Sequence, residues 1–262
     1  MDWLTQNIAW NLYRRVQPCL DPLVFLHLPK CGGTSVNIAL NKLYWLRLHR
    51  TLHLSGASSK QAAEVIGEPV ERFRARLLAF HMAEQKRRLI TGHYGFDEHI
   101  WDHFSDAWKF MTVLRDPVAR WYSSYFYNRY KTKSDHYRIS QPLEIFVETD
   151  RARKGGDMYA RFLTGRSDAD DAVSQVIENL HRFHLVGLLE EAETFIQDCQ
   201  QLLGVKINVP RHNVSPRSTH QQSEEITPEI DAKVRALCAS DLQIYRAVQG
   251  RILSQGTWLK QG

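Results

Sequence analysis

The stretch that decides the fold of this chain is LVFLHLPKCGGTS, residues 23–35. It opens with a short apolar run between Pro22 and Pro29, which has the length and the setting of a buried strand. Beyond the two glycines, apolar residues from Val36 to Leu43 recur at the spacing of one helix face. The stretch therefore predicts a strand, a glycine loop and a helix in direct succession.

The alternation of strand and helix continues along the chain. Further strands are predicted at residues 89–91, 109–114 and 183–188. Helices are predicted over about 58–86 with a break near 67–69, from Pro117 behind the N-cap Asp116, from about 192 to a stop at Gly204, and from near Pro228. This order predicts an α/β fold with a mostly parallel central sheet flanked by helices. Since no linker or repeat is found, a single domain over residues 1–262 is predicted.

Composition narrows the class of protein. Of the 262 residues, 43% are hydrophobic and 24% are charged, which argues against disordered and fibrous proteins. The net charge of +5 comes from basic residues interleaved with acidic ones, so no nucleic-acid partner is expected. The four cysteines are widely spaced without a C-x-x-C pair, which argues against zinc and favours a reduced compartment. No long apolar segment occurs, so a cytoplasmic protein without stable membrane insertion is expected.

The loop over residues 30–35 has the chemistry of an anion site. Its glycines let the backbone approach phosphate oxygens, and the helix start presents N–H groups at the positive end of its dipole. Lys30 adds a mobile cation, and the hydroxyls of Thr34 and Ser35 can donate hydrogen bonds or cap the helix. The site is P-loop-like, but its lysine precedes the glycines, whereas the lysine of the ATPase P-loop follows them. A tight turn with a solvated lysine is the alternative.

Residues 25–35 resemble the 5′-phosphosulfate loop of sulfotransferases that use 3′-phosphoadenosine 5′-phosphosulfate (PAPS). The resemblance is closest to the branch with the heparan sulfate 2-O- and 6-O-sulfotransferases, the chondroitin sulfotransferases and many bacterial relatives. It implies PAPS as the co-substrate and 3′-phosphoadenosine 5′-phosphate (PAP) as the product, and no metal. The residues that it implies for the 5′ end of the donor are Lys30, Gly32, Gly33, Thr34 and Ser35.

Residues 115–125 resemble the 3′-phosphate motif of the same family, in which an arginine at a strand end and a serine eight positions later hold that phosphate. Arg115 and Ser123 have this spacing. A guanidinium can bind phosphate through two N–H groups, and Ser123 lies about two helical turns on. Both motifs follow predicted strands, and α/β folds bind ligands at that edge of the sheet. Less sharp resemblances occur at residues 158–165, 185–190 and 212–215.

Sulfonate transfer to an alcohol needs a base for the acceptor proton and a positive charge for the leaving phosphate. Lys30 is predicted to stabilise the leaving group. His93 is the predicted base, because it lies just past a predicted strand and its Gly-His pair resembles a catalytic position of the heparan sulfate branch. His27 is expected inside the first strand, pointing into the core or the sheet. The alternatives are a structural role for His93 and, as other bases or contacts, Glu84, Glu98 and His212.

The expected activity is that of a PAPS-dependent O-sulfotransferase with a carbohydrate or glycolipid acceptor. Basic groups near 86–88, 131–133 and 151–154 can receive an anionic sugar or are solvated faces. Two other functions stay open: a nucleotide kinase or NTPase with an atypical phosphate loop, and a catalytically silent PAP-binding module. The residues that offer planes for sugar stacking, or that belong to the core, are Trp101, Trp108, Trp121 and Tyr127.

Overall fold

The structure is a computed structural model that describes residues 20–46, 49–131, 137–164, 171–210 and 225–260. The predicted contact His212 and the resembling stretch at 212–215 lie outside the described residues. Parts of two other predicted segments, 131–133 and 158–165, also lie outside them.

Within the described residues, five parallel strands form the central sheet, which confirms the α/β prediction. Their spatial order is β2-β3-β1-β4-β5. The strands are β1 (Leu23–Leu26), β2 (Thr51–Leu54), β3 (Leu89–Gly92), β4 (Lys109–Leu114) and β5 (Leu185–Leu188).

The strand order places the segments after β1 and β4 beside each other. In the register of the sheet, Leu26 of β1 lies between Gly92 of β3 and Thr112 of β4. The chain leaves β1 towards β2 on one side and leaves β4 towards β5 on the other. Such a switch point opens a crevice at the carboxyl edge of a parallel sheet, and ligands bind there. The two predicted anion motifs therefore meet at this crevice.

Helices cover both faces of the sheet. In the described ranges they are α1 (Gly33–Leu46), α2 (Gly56–Ile66), α3 (Val70–Ala83), α4 (Glu98–Phe104), α5 (Pro117–Tyr130), α6 (Leu143–Phe146), α7 (Asp150–Gly156), α8 (Met158–Thr164), α9 (Ala172–His181), α10 (Ala192–Leu203), α11 (Pro228–Leu237) and α12 (Ala239–Gln255).

The alternation of side chains along β1 divides the core between the two faces. Val24 and Leu26 pack with residues of α3, α8, α9 and α12, whereas Leu23 and Phe25 pack with residues of α1 and α10. Every residue of β1 is buried, as expected of a central parallel strand. A third cluster joins α5, α7 and α11 beside the sheet. No helix of the described ranges is long and apolar enough to cross a membrane.

Several predicted boundaries are confirmed at the residue level. The Asp116 carboxylate accepts a hydrogen bond from the Ala119 amide at 2.8 Å, and Pro117 is the first residue of α5. Gly204 ends α10 at a φ of 66°. These positions are predictable because an N-cap carboxylate and a glycine with positive φ satisfy helix ends locally.

Three local predictions are wrong. The sequence pattern misses strand β2, because Thr51–Leu54 is a short edge strand that is only partly buried and lacks an apolar run. Helix α1 begins at Gly33, so Thr34 and Ser35 lie in its first turn and do not cap it. Two helices, α11 and α12, follow residue 227 where the sequence pattern predicts one.

Candidate active site at the carboxyl edge of the sheet

The loop over residues 27–32, called the donor loop after its predicted role, connects β1 to the amino end of α1. Lys30 and Gly32 adopt positive φ angles of 65° and 74°, and Cys31 between them is buried. This backbone turns the chain sharply so that α1 starts at the strand end. The amide groups of the first turn of α1 therefore lie at the crevice, where they favour an anion.

His27 belongs to the site, which corrects its predicted position inside the first strand. It follows the last residue of β1, and a Cβ atom at Gly33 would overlap its imidazole ring. The ring lies 5.7 Å from that of Phe25 and 4.7 Å from that of His93. Burial lowers the pKa of His27 to about 3, helped by the charges that His93, His53 and Lys30 can carry, so the ring is neutral.

The arginine loop, residues 115–116, follows β4 and contacts the donor loop directly. The Arg115 guanidinium donates a hydrogen bond from Nη1 to the Lys30 carbonyl oxygen at 3.2 Å. The Tyr159 hydroxyl accepts a hydrogen bond from the Arg115 amide at 2.9 Å and donates one to the Arg115 carbonyl oxygen. The same hydroxyl lies 3.5 Å from Cys31 Sγ. The structure thus brings Lys30 and Arg115 together, as the sequence predicts.

The Lys30 ammonium lies over an aromatic ring at the mouth of the crevice. Its Nζ is 3.8 Å from the ring centroid of Tyr127, which is 47% exposed on α5. A cation over a ring face is attracted by the ring quadrupole. Burial lowers the pKa of Lys30 to about 8, and the nearby Arg115 charge acts in the same direction.

Ser123, the predicted partner of the 3′-phosphate, lies on α5 one turn before Tyr127. Residues four apart share a helix face, so Ser123 lies on the face that carries the Tyr127 ring towards Lys30. Its side chain is half-buried, and its hydroxyl has no hydrogen-bond partner among the described residues.

His93, the predicted base, is held by its backbone and by one ring nitrogen. Its Nδ1 lies 2.5 Å from the carbonyl oxygen of His27, which can only accept, so Nδ1 carries the proton. The lone pair of the neutral ring is then on Nε2, which has no partner in the part of the chain that the structure describes. Burial lowers the pKa of His93, the hydrogen bond to the His27 carbonyl oxygen opposes this shift, and the charges of Arg74 and His53 lower the pKa further. His93 is therefore a neutral imidazole with a proton-accepting nitrogen.

Arg74 fixes the segment that carries His93. It donates from Nη1 to the His93 carbonyl oxygen and from Nη2 to the Gly56 carbonyl oxygen, each at 3.1 Å. Its Nε donates to Ser59 Oγ at 2.9 Å. No local pattern in the sequence indicates this role, because α2, α3 and the segment after β3 meet only in the fold.

A further histidine, His53, lies near His27 and His93 at the end of the unpredicted strand β2. Its Nδ1 is 2.8 Å from Thr91 Oγ1, whose proton is donated to Asn37 Oδ1 at 2.7 Å. Thr91 can then only accept from His53, so the lone pair of the neutral His53 ring is also on Nε2. Because the sequence does not predict β2, it also does not predict that His53 lies near His27 and His93.

Other predicted candidates do not meet at this site. Glu84 pairs with Lys86 at 2.9 Å, and Glu98 pairs with Arg182 at 2.8 Å. Both carboxylates are therefore already engaged. Of the four rings predicted as stacking planes, Tyr127 alone is exposed, and three are buried in the core: Trp101, Trp108 and Trp121.

Comparisons with known proteins find likenesses of shape to solved structures, two of which are described below. No protein-family model and no curated protein matches the sequence. A sulfotransferase from Alicyclobacillus acidocaldarius is 16% identical, with 88% of this chain and 97% of the other aligned and a TM-score of 0.44. The mouse sulfotransferase SULT7A1, complexed with PAP, is 13% identical, with 90% of each chain aligned and a TM-score of 0.45. Because these identities and TM-scores are low, the chemistry of this chain has to be inferred from its own residues.

Proposed function

We propose that this protein is a PAPS-dependent O-sulfotransferase, which moves the sulfonate group of PAPS to a hydroxyl group of an acceptor and releases PAP. The observation that carries the proposal is the hydrogen bond from the Arg115 guanidinium to the Lys30 carbonyl oxygen. This bond joins Lys30 and Arg115 at the crevice where α1 begins. This set of donors fits a ligand with two separate anionic groups, such as a nucleotide phosphorylated at its 3′ and 5′ positions.

Lys30 is proposed to stabilise the leaving group. At neutral pH it is largely protonated, because its pKa is about 8. Its contact with the Tyr127 ring face uses no hydrogen-bond acceptor, so the ammonium protons stay available for phosphate oxygens. PAPS, when bound, supplies a sulfonate group and a phosphate that leaves. Lys30 offsets the negative charge that grows on the bridging oxygen as its bond to sulfur breaks.

His93 is proposed to take the proton of the acceptor. Its Nε2 carries the lone pair, since Nδ1 donates to the His27 carbonyl oxygen. As the acceptor oxygen bonds to sulfur, its proton moves to Nε2 and the imidazole becomes positively charged. The lowered pKa of His93 keeps the base unprotonated at neutral pH before the reaction.

The acceptor is proposed to be a carbohydrate or a glycolipid. The resemblance of residues 25–35 to the sulfotransferases of glycans supports this class. The exposed ring of Tyr127 supports it as well, because it lies next to Lys30 and offers a face on which a sugar ring can stack.

Binding experiments separate this proposal from a kinase or NTPase. Titration with PAP and with ATP-magnesium should give binding of PAP. Arg115→Ala should weaken PAP binding by about 1.5–3 kcal/mol, the contribution of a charged hydrogen-bond partner. Arg246→Ala removes an exposed arginine of α12 and should leave PAP binding unchanged. Tight ATP-magnesium binding without PAP binding would overturn the proposal.

Turnover tests the role of His93 and separates an enzyme from a silent module. Radiolabelled PAPS is incubated with water and with a panel of glycans and lipids. His93→Ala should spare PAP binding yet reduce turnover by ~10²-fold or more, the typical contribution of a general base. His103→Ala, an exposed histidine of α4, is the matched control. Unchanged turnover in His93→Ala would dismiss His93 as the base, and PAP binding without any transfer would favour a silent module.

A further inference from the structure

We infer that Tyr159 is a positioning residue that sets the distance between the donor loop and the arginine loop, and so selects nucleotides that carry both a 3′- and a 5′-phosphate. The inference rests on the proposed function, which assigns one loop to each end of PAP. The Tyr159 side chain contacts the two loops themselves, so its effect on a ligand is exerted through them.

The hydroxyl of Tyr159 contacts both loops. It accepts from the Arg115 amide at 2.9 Å and donates to the Arg115 carbonyl oxygen, so both polar groups of that peptide segment are fixed by one oxygen. Cys31 Sγ of the donor loop lies 3.5 Å from the same oxygen. Tyr159 is fully buried, so water does not compete for these contacts.

The position of Tyr159 is itself fixed from a distant part of the chain. The fully buried Asp241 carboxylate of α12 accepts hydrogen bonds from the amides of Tyr159 at 3.0 Å and Ala160 at 3.2 Å. The Arg120 guanidinium lies 5.9 Å from the centre of the Tyr159 ring. The backbone that carries Tyr159 is therefore fixed at the start of α8. The Tyr159 side chain can then act as a rigid spacer between the two loops.

A rigid spacer affects ligands according to how many loops they engage. A ligand that uses one loop alone does not sense the distance between the loops. A ligand that uses both loops gains its full affinity only when that distance matches its own two anionic groups. One direct bond, from the Arg115 side chain to the Lys30 carbonyl, also joins the loops. Tyr159 differs from it because it fixes the backbone of Arg115 and leaves the guanidinium available to phosphate.

The test compares PAP with 5′-AMP and 3′-AMP by calorimetric titration. Tyr159→Phe keeps the ring and removes only the hydroxyl. It should lower PAP affinity by roughly three- to tenfold, the net effect of one to two neutral hydrogen bonds. The affinities of 5′-AMP and 3′-AMP should stay at their wild-type values.

A matched control is Tyr44→Phe. Tyr44 is also fully buried, and its hydroxyl donates to the Asp21 carbonyl oxygen at 2.7 Å, before β1 and so at the opposite edge of the sheet. This variant loses a comparable buried hydrogen bond and should keep the wild-type affinity for all three nucleotides. A second measurement needs no ligand. The Arg115 amide should exchange its hydrogen faster in Tyr159→Phe than in Tyr44→Phe, because it has lost its acceptor.

The results of these measurements distinguish a failure of the inference from a failure of the proposed function. A wild-type protein that binds PAP no better than 5′-AMP contradicts the proposed function and, with it, the selection by Tyr159. A wild-type protein that prefers PAP, together with a Tyr159→Phe variant that retains this preference, contradicts the inference alone. An equal loss for all three nucleotides also contradicts it, since the hydroxyl would then support the site in general. Selective loss for PAP with faster exchange at Arg115 supports it.

Discussion

Lys30 combines three structural features at the edge of the crevice. It has a positive φ of 65°, its ammonium lies over an aromatic ring, and its carbonyl oxygen is bound by a second cation. A non-glycine residue at positive φ is strained by about 1–2 kcal/mol. The fold therefore tolerates backbone strain at the residue whose side chain lies at the mouth of the crevice.

The lowered pKa of Lys30 predicts an alkaline limit to activity. An ammonium whose pKa is about 8 loses its proton as the pH rises above that value, and it then cannot fill the role proposed for it at the leaving group. The value of kcat/KM should therefore fall above about pH 8. In Lys30→Arg the rate should be lower, but this alkaline decline should disappear, because a guanidinium stays charged. The measurement is kcat/KM against pH for both proteins.

An alkaline decline at the same pH in Lys30→Arg would assign it to another group. If His93 is the base, as proposed, it sets the acidic side of the profile. Because burial lowers the pKa of His93, the acidic decline should lie below the ordinary range of histidine.

At the scale of elements, the junction of β1 and α1 depends on the absence of a side chain at Gly33. A Cβ atom at this position would overlap the His27 ring, which is packed between Phe25 and His93. Gly33→Ala should therefore lower the free energy of unfolding by about 1–3 kcal/mol, the usual cost of overpacking. It should also weaken PAP binding, because the displaced helix start belongs to the proposed donor site. Urea unfolding and PAP titration measure the two effects.

Two further variants test whether overlap with the His27 ring causes the loss of stability in Gly33→Ala. Gly250 lies in α12, where a Cβ atom would meet no neighbouring atom within 4 Å, so Gly250→Ala should stabilise the protein by about 0.4–1 kcal/mol. In the double variant His27→Ala/Gly33→Ala, the ring that causes the overlap is gone. The stability cost of the second alanine should shrink in that background. If the cost is the same in both backgrounds, the contact with His27 is not its source.

The sequence predicts those elements whose signals are local. The apolar run of β1, the glycines behind it and the Asp116-Pro117 start of α5 all lie within a few residues of the structure that they specify. The contacts that complete the site are long-range. Tyr159 is 44 positions from Arg115 and 128 positions from Cys31, and no spacing rule connects residues so far apart. His53 escapes prediction because its strand gains stability from pairing with β3 and not from an apolar run of its own.

At the scale of the whole molecule, the buried Asp241 links stability to pH. Burial raises its pKa to about 7, although Arg120 and the amides of Tyr159 and Ala160 oppose the shift. A carboxyl group with a raised pKa in the folded state binds more protons there than in the unfolded state. Its contribution to stability is therefore full below about pH 4 and is lost as the pH rises through about 7.

The variant Asp241→Asn isolates this contribution. Asparagine does not titrate, yet its side-chain oxygen can still accept from the amides of α8. Relative to this variant, the wild-type free energy of unfolding should decrease between about pH 4 and about pH 7 and level off above that range. Urea unfolding of both proteins at a series of pH values gives the difference. A difference that is flat over this range would show that Asp241 titrates normally.

The contacts of Asp241 in α12 with the backbone of Tyr159 have a consequence for the synthesis of the protein. The donor loop and the arginine loop are translated well before Asp241, which holds the backbone of Tyr159. At roughly 5–20 residues per second, the delay between Arg115 and Asp241 is on the order of ten seconds. During that interval a nascent chain already contains β1, β3 and β4 but not the residue that steadies the spacer between its loops. Until Asp241 is made, the backbone of Tyr159 lacks the acceptor that fixes it, so the spacing of the two loops is set only after the last helices arrive.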